Sequence, residues 1–307
     1  MIHHSAIVRL GARSLLGVLV ACAANAQSPT PSGKGVAAPG AKLTLLADTF
    51  KFTEGPASDK QGNVFFTDQP NNRIMEWSTD GKLSTFMSDA GRSNGMYFAF
   101  EKLYSCADLN NQLWTIDPAT RKIAVLVKDY DGKKLNGPND VWVRPDGGIY
   151  ITDPFYKRDY WTRGGMEQPG QYVYYLTPNH KKLSLVITDM KQPNGIVGTP
   201  DGKRLYVADI GDNKTYVYTI HRDGTLSDKK LFAEMGSDGM TIDDEGNLYL
   251  TGKGVTVFNT QGEKIDYIPI DKPWTANITF GGKDDDTIFI TASDSLYSLK
   301  TRVHGTR

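Results

Sequence analysis

The chain has 307 residues, 39% of them hydrophobic, and its 35 basic and 35 acidic residues give a formal net charge of zero. This length fits one large domain or two small ones. The charges form no long run of either sign, which argues against a nucleic-acid or membrane-surface partner, since both select a basic stripe.

The first residues have the pattern of an export signal. Arg9 and Arg13 precede an apolar run at 15–21 that is too short to span a bilayer. Ala-Asn-Ala at 24–26 matches a signal-peptidase site, whereas Leu-Val-Ala-Cys at 19–22 matches a lipoprotein box in which Cys22 is lipidated. We expect residues 1–26 to be a signal peptide, or a lipoprotein signal that ends before Cys22. Either alternative predicts an exported, periplasmic protein, soluble or lipid-anchored, without a transmembrane segment.

The remaining chain divides by composition into a linker and one domain. Residues 27–42 are rich in Pro, Gly, Ser and Ala, which predicts a flexible linker. Residues 43–302 form the predicted domain. It contains a single cysteine, Cys106, in an apolar run, so we predict a buried, inert thiol and no disulfide within the domain.

Six similar segments recur along this domain, each a turn followed by an apolar–aromatic–apolar strand and a small or polar residue. Their aromatic residues are Phe65, Tyr104, Tyr150, Tyr206, Tyr249 and Phe289, at spacings of 39 to 56 residues. Repeats of about 40 residues with several short strands are typical of propeller blades. We therefore predict an all-β fold, a six-bladed β-propeller with about four antiparallel strands per blade. A β-sandwich, the alternative, would not repeat at a fixed period.

A polar residue stands 10 to 12 positions before each of these aromatics. In chain order the six are Glu54, Asn94, Asn139, Asn194, Asp238 and Asn277. Because the innermost strands of a propeller surround its channel, equivalent positions on six blades should form a ring at one channel mouth. The alternative interpretation is that the Asn-Gly and Asp-Gly pairs are ordinary turn residues.

Such a ring predicts a cation site. Converging carboxylates repel each other unless they are protonated or paired with a cation, and none of the six positions holds Lys or Arg. All the donors are oxygen atoms, which favours Ca²⁺ first, then Mg²⁺ or Mn²⁺. Zn²⁺ is a further option, although it normally recruits His or Cys. The histidines after the leader are predicted at the surface, which argues against a Ser-His-Asp triad.

The motifs in their order resemble a known family. Glu-Gly-Pro at 54–56, the segment 136–154, Gln-Pro-Asn-Gly-Ile at 192–196, Ser-Asp-Gly-Met at 237–240 and the segment 276–282 are similar to blade motifs of the gluconolactonase, senescence-marker-protein (regucalcin) and lactonase-like family. The resemblance covers roughly residues 43–300. It implies a six-bladed propeller with one divalent cation at the channel mouth and a sugar lactone as substrate.

The resemblance also implies roles for ring residues. By motif, Glu54, Asn194 and Asp238 match the metal-binding residues, and Asn139 matches the Asn that completes the coordination sphere or contacts substrate. Asp238 also matches the proposed general base, and we assign Asn94 to substrate binding. One departure is Gly137, which stands where mammalian members carry an Arg used for sugar recognition.

A long insertion follows the third aromatic strand. The segment 153–171 accounts for the 56-residue spacing between Tyr150 and Tyr206 and is rich in aromatic and basic residues. Long loops on propellers often lie over the active face. The candidates to stack on or hydrogen-bond a sugar ring are Tyr156, Arg158, Tyr160, Trp161 and Arg163. Of these we assign Arg158 and Tyr160 to substrate binding. The alternative is a surface loop that packs on its own aromatics.

The resulting hypothesis is a divalent-metal-dependent hydrolase that opens a sugar lactone, in which Asp238 activates or positions water. Two alternatives stay open. One is a non-catalytic exported propeller that binds a sugar or a protein, and the other is a hydrolase of a non-sugar lactone or ester.

Overall fold

The computed structural model describes residues 35–306. The predicted signal peptide, Cys22 and the first part of the predicted linker lie outside this range. Strands dominate the described chain, and the one helical segment within it is a 3₁₀ turn at Gln69–Asn71. None of the helical structure in this range is long and apolar enough to cross a bilayer.

The strands form six antiparallel sheets of four strands each, as predicted. Blade 1 holds β2 (Thr53–Ser58), β3 (Val64–Asp68), β4 (Arg73–Trp77) and β5 (Leu83–Ser88). Blade 2 holds β6 (Ser93–Ala99), β7 (Lys102–Ala107), β8 (Gln112–Ile116) and β9 (Ile123–Val127). Blade 3 holds β10 (Val141–Val143), β11 (Ile149–Asp153), β12 (Tyr172–Leu176) and β13 (Leu183–Ile187).

The second half of the ring repeats this plan. Blade 4 holds β14 (Pro193–Gly198), β15 (Arg204–Asp209), β16 (Lys214–Ile220) and β17 (Leu226–Ala233). Blade 5 holds β18 (Met240–Ile242), β19 (Leu248–Gly252), β20 (Gly254–Phe258) and β21 (Lys264–Ile268). Blade 6 holds β22 (Thr275–Gly281), β23 (Thr287–Ala292), β24 (Ser295–Lys300) and, as its outer strand, β1 (Thr44–Ala47).

The first strand of the chain closes the ring. Strand β1 pairs antiparallel with β24, so the start of the domain completes the last blade. Each innermost strand also contacts the next one around the channel, from β2 through β6, β10, β14, β18 and β22 and back to β2. This closed cycle defines the axis on which the ring residues converge.

Part of the predicted linker packs against this closure. Val36 is fully buried in an apolar cluster, its N–H donates to Asp266 Oδ2 at 2.7 Å, and Ala37 forms a bridge with Thr301. Around Val36 the predicted linker therefore packs against the domain, and burial of the Val36 side chain favours this contact.

The repeated aromatics hold neighbouring sheets together. Phe65 stacks on Phe98 of blade 2 with ring centroids 6.1 Å apart, and Tyr249 packs edge-on against Phe280 of blade 6 at 5.5 Å. Buried Tyr150 donates its hydroxyl to Gly224 O in the next blade at 2.8 Å. Fully buried aromatic side chains are each worth roughly 3–5 kcal/mol against truncation to Ala, so this repeated position stabilises the blade-to-blade interfaces. Cys106 is buried in the same core, as predicted.

Candidate active site at one end of the channel

A cavity of about 390 Å³ lies at one end of the central channel. Its lining mixes ring residues with side chains from the loops above them. It comprises Phe52, Glu54, Gln69, Asn94, Asn139, Tyr156, Arg158, Gln192, Asn194, Ile210, Asp238 and Trp274. Five of the six residues predicted to form the ring therefore face one space. The sixth, Asn277, stands behind Glu54 and donates from Nδ2 to Glu54 Oε2 at 3.1 Å.

Four of the six ring residues lie in strands, and the other two lie just before β10 and β18, which argues against the turn interpretation. Glu54, Asn94 and Asn194 stand in β2, β6 and β14, each within a register shift of the pairing with the next strand. A β-bulge re-aims side chains. The same irregularity on successive blades turns these polar groups toward the axis.

A glycine follows most ring residues because neighbouring blades approach closely there. A Cβ on Gly55 would lie 2.0 Å from Asn94 O, and one on Gly195 would lie 2.2 Å from Asp238 O. The backbone of Gly95 also donates to Asn139 O at 2.7 Å. The Asn-Gly and Asp-Gly pairs of the sequence are thus explained by blade-to-blade contact at the channel mouth rather than by turns.

Aspartates at the ends of second strands brace the segments that lead to the ring. Asp153 accepts the N–H groups of Asn136 and Gly137, each at 2.8 Å, just before Asn139. Asp209 accepts those of Lys191 at 2.8 Å and Gln192 at 2.9 Å, just before Asn194. These paired, charge-assisted hydrogen bonds hold the backbone just before Asn139 and Asn194, and so fix where the two ring residues lie along the channel.

Two ring amides have a side-chain carbonyl oxygen without a hydrogen-bond partner among the described residues. Asn194 Nδ2 donates to the Tyr156 hydroxyl at 2.9 Å, yet its buried Oδ1 has no partner among the described residues. The buried Oδ1 of Asn94 is equally unpartnered within that range. A buried, unsatisfied carbonyl oxygen costs about 1–3 kcal/mol. The site thus holds amide oxygens in position for a group that the protein itself does not supply.

The ring carboxylates also have too little positive charge near them to balance their negative charge. Burial raises the pKa of Glu54 well above its usual range, and the charges of Asp238 and Asp140 raise it further. Burial raises the pKa of Asp238 too, although Trp274 Nε1 donates to its Oδ2 at 2.6 Å. The nearby Arg158 is already paired with Asp108 at 2.9 Å. The cavity therefore favours a positive charge.

These donors fit a hard divalent cation. Two carboxylates and several amide oxygens are the ligands that Ca²⁺ prefers, and carboxylates paired with a cation no longer repel each other. Between residues 35 and 306 no group of three or more His, Cys, Asp and Glu side chains has the arrangement of a metal site. The fit rests instead on the mixture of Glu54 and Asp238 with Asn94, Asn139 and Asn194.

The inserted loop brings Arg158 to the cavity but not Tyr160. Tyr156, a further candidate of this loop, also lines the cavity. Tyr160 does not line it; its hydroxyl donates to Asp108 and its ring carries the guanidinium of Arg92 at 4.3 Å. Trp274 was missed, because no repeat or motif marks it. The histidines at 180, 221 and 304 are exposed, as expected.

Comparison with known proteins agrees with this geometry. The family profile described as the SMP-30/gluconolactonase/LRE-like region matches residues 52–294. A gluconolactonase of Zymomonas mobilis is 27% identical over 293 residues, covering 86% of this chain and 82% of its own.

Two solved structures extend the comparison. A gluconolactonase of Xanthomonas campestris superposes with a TM-score of 0.81 at 29% identity, covering 89% of this chain and 93% of its own. The calcium-binding protein regucalcin of Agrobacterium tumefaciens has a TM-score of 0.73 at 20% identity, covering 86% and 95%, and so shows the shared fold. The resemblance read from the sequence is confirmed, and the chain belongs to the SMP-30/gluconolactonase/LRE-like family.

Proposed function

We propose that this protein is a divalent-cation-dependent hydrolase that opens a sugar lactone. The observation that carries the proposal is the meeting of two under-compensated carboxylates, Glu54 and Asp238, with the unpartnered amide oxygens of Asn94 and Asn194 at one cavity. The gluconolactonase relatives support the reaction class.

The proposed cation site consists of Glu54, Asn139, Asn194 and Asp238. A bound divalent cation would supply Lewis-acid polarisation of the lactone carbonyl. Ca²⁺ suits this set best because all donors are oxygen. The regucalcin structure, described as that of a calcium-binding protein, is consistent with this choice.

Asp238 is the proposed general base. It is the ring carboxylate that is partly exposed to the cavity, and the bond from Trp274 Nε1 fixes its orientation. Asp238 takes a proton from the attacking water while the water oxygen bonds to the carbonyl carbon. The ring C–O bond then breaks, and the proton passes to the leaving ring oxygen, giving a hydroxy acid.

The charge balance of the site favours a neutral, hydroxyl-rich substrate. The charges of Glu54 and Asp238 balance a divalent cation, and Arg158 balances Asp108. Gln69, Gln192 and Asn139 offer hydrogen bonds around the cavity, and Trp274 offers a flat face for the C–H side of a sugar ring. A neutral lactone fits, and its anionic product would be released from a site without excess positive charge.

The test is lactone opening by the purified protein, followed with a pH indicator on glucono-δ-lactone. Activity should disappear with EDTA and return with Ca²⁺, Mg²⁺ or Mn²⁺. Asp238→Asn should lower kcat/KM on the order of 10³-fold. Asp223→Asn, which changes an exposed carboxylate bonded to Thr225 in a distant turn, should leave it unchanged. An Asp238→Asn protein that turns over normally would refute the proposed base. Sugar binding without turnover by the wild type would instead favour a non-catalytic binding protein.

A further inference from the structure

The second strands of the first four blades share an aspartate at or just beyond their ends. The four are Asp68, Asp108, Asp153 and Asp209. In blades 1, 3 and 4 the carboxylate accepts the backbone N–H groups three and two residues before the ring residue. The pairs are Lys51 and Phe52 on Asp68, Asn136 and Gly137 on Asp153, and Lys191 and Gln192 on Asp209. Three of the four aspartates therefore brace their own blade.

Blade 2 uses this aspartate differently. The N–H of Arg92, two residues before Asn94, donates to Asn72 Oδ1 at 2.7 Å rather than to Asp108. The Asp108 carboxylate accepts Arg158 Nε at 2.9 Å and the Tyr160 hydroxyl, both from the inserted loop. Asn72 of blade 1 thus accepts the backbone N–H that the aspartate accepts in blades 1, 3 and 4. Asp108 is left to bind the inserted loop.

The contact between Asp108 and the loop is buried. Asp108 is 2% exposed, and Trp161 Nε1 donates to its backbone oxygen at 2.9 Å. A Cβ on Gly137 would lie 2.8 Å from Asp108 Oδ1 and 3.0 Å from the Trp161 ring. Glycine at 137 is therefore a condition for this packing. The space beside Gly137 is closed by Trp161, and the guanidinium of Arg158 reaches Asp108 from the loop.

The Arg158 guanidinium held in this way faces the cavity. Arg158 lines the cavity and lies close enough to Asp238 for its charge to act on that carboxylate. Arg158 donates to Asp108 through Nε, and its two terminal nitrogens have no protein acceptor within residues 35–306. A guanidinium fixed through Nε retains terminal N–H groups in a planar fork, which suits the paired oxygens of a polyol or carboxyl group.

We propose that Asp108 is a positioning residue that determines substrate affinity by holding Arg158 over the cavity. The proposal rests on the proposed lactonase function. Arg158 donates to hydroxyl oxygens of the lactone, and Asp108 fixes the rotamer from which it does so. The substrate class is thereby narrowed to lactones that carry free hydroxyl groups within reach of this fork, as opposed to unsubstituted aliphatic lactones.

The kinetic test compares Asp108→Asn, Arg158→Gln and the double variant on glucono-δ-lactone and on unsubstituted δ-valerolactone. Each single variant should raise KM for the sugar lactone roughly tenfold, with kcat within about twofold, because one charged hydrogen bond is lost from binding. The double variant should be no worse than the worse single one. KM for δ-valerolactone should stay unchanged. Asp117→Asn is the matched control. It removes a carboxylate of the same blade that is bonded to Lys102 and Thr120 and does not line the cavity.

A second readout does not depend on activity. Trypsin cleavage after Arg158 should be at least tenfold faster in Asp108→Asn than in the wild type or Asp117→Asn, because the loop loses its anchor. Asp209→Asn, at the equivalent strand position in blade 4, should instead leave cleavage at Arg158 unchanged. Mass spectrometry of the fragments identifies the site.

The outcomes separate the two claims. Equal cleavage rates, or additive effects of the two substitutions on KM, would overturn the role of Asp108. A lower melting temperature of Asp108→Asn with unchanged KM would show a structural brace like those of the other blades, and would also overturn it. A wild-type protein that opens neither lactone refutes the proposed function, and the cleavage comparison then still decides whether Asp108 anchors Arg158.

Discussion

The two ends of the central channel are built from the same strands but differ in the side chains that face the channel. In β6, Asn94 lines the cavity at the ring end and Phe98 lines a second cavity, of about 480 Å³, at the other end. In β14, Asn194 and Val197 divide in the same way. The larger cavity is lined mainly by apolar and aromatic groups such as Tyr97 and Trp142. Cavity size therefore does not mark the candidate active site.

The two ends differ in whether the protein's own side chains fill the space and pair with the buried polar groups. At the apolar end the ring of Trp142 fills the space beside Gly198, where a Cβ would lie 2.2 Å from it. At the ring end buried amide oxygens have no partner among residues 35–306, and burial raises the pKa of Glu54. Packing at one end stabilises the fold, whereas the other end is destabilised until a ligand binds.

Among the variants that test this difference between the two ends, Glu54→Gln should have the largest effect. The substitution removes a buried carboxylate and keeps its shape, so Ca²⁺ affinity should fall on the order of 10²-fold, because Ca²⁺ affinity depends on the number of charged ligands. Lactonase activity should fall with it. The metal-free protein should nevertheless melt at a higher temperature, since the desolvated charge is gone. Calcium titration calorimetry and thermal unfolding in EDTA measure both effects. A metal-free variant less stable than the metal-free wild type would contradict the account of the ring end as a strained site.

Gly195→Ala tests whether close backbone contact between blades determines the positions of the ring residues. The added Cβ would lie 2.2 Å from Asp238 O, and backbone cannot yield as a side chain can. We expect a loss of about 3 kcal/mol or more in the free energy of unfolding, with a large loss of activity. The control is Gly165→Ala, because a Cβ there meets nothing within 4 Å. Equal denaturation midpoints for the two variants would argue against the proposed role of the glycines.

The pH dependence of the metal-free protein should be opposite to that of an ordinary acid-sensitive fold. Burial raises the pKa of Glu54, and it raises that of Asp140 to about 8. The folded state then binds more protons than the unfolded state between pH 4.5 and 8, so stability falls as pH rises through this window. In EDTA the melting temperature should be about 2–4 °C lower at pH 8 than at pH 5.5. Excess Ca²⁺ should reduce or reverse the difference, because it binds the deprotonated carboxylates. A melting temperature in EDTA that rises with pH would contradict this.

The sequence predicted the parts of this molecule that repeat. The aromatic of each unit and the polar residue before it recur at regular spacing, so the blades and the ring could be predicted before any coordinates. The closing strand β1 occurs once and has no counterpart in the repeats. Trp274 stands three residues before Asn277, a position that holds no aromatic residue in the other five blades, so no repeat marks it. Tyr160 and Tyr156 could not be told apart, because the direction of a side chain in an irregular loop depends on its anchor. That anchor, Asp108, has the same sequence context as three aspartates that brace backbone.

The smallest expected effect concerns a residue at the rim of the apolar end. Phe100 and Glu101 form the two-residue turn between β6 and β7, with φ of 47° and 57°, and Phe100 is 55% exposed. Such turns favour Asn or Gly, because a bulky side chain is strained at positive φ. Phe100→Asn should therefore stabilise the protein by about 0.5–1 kcal/mol and leave lactonase kinetics unchanged. Phe98→Ala is the contrasting variant, since Phe98 stacks on Phe65 at 6.1 Å and its truncation should destabilise. If Phe100→Asn changed KM, the two ends of the channel would be coupled, and the separation of a stabilising end from a functional end would fail.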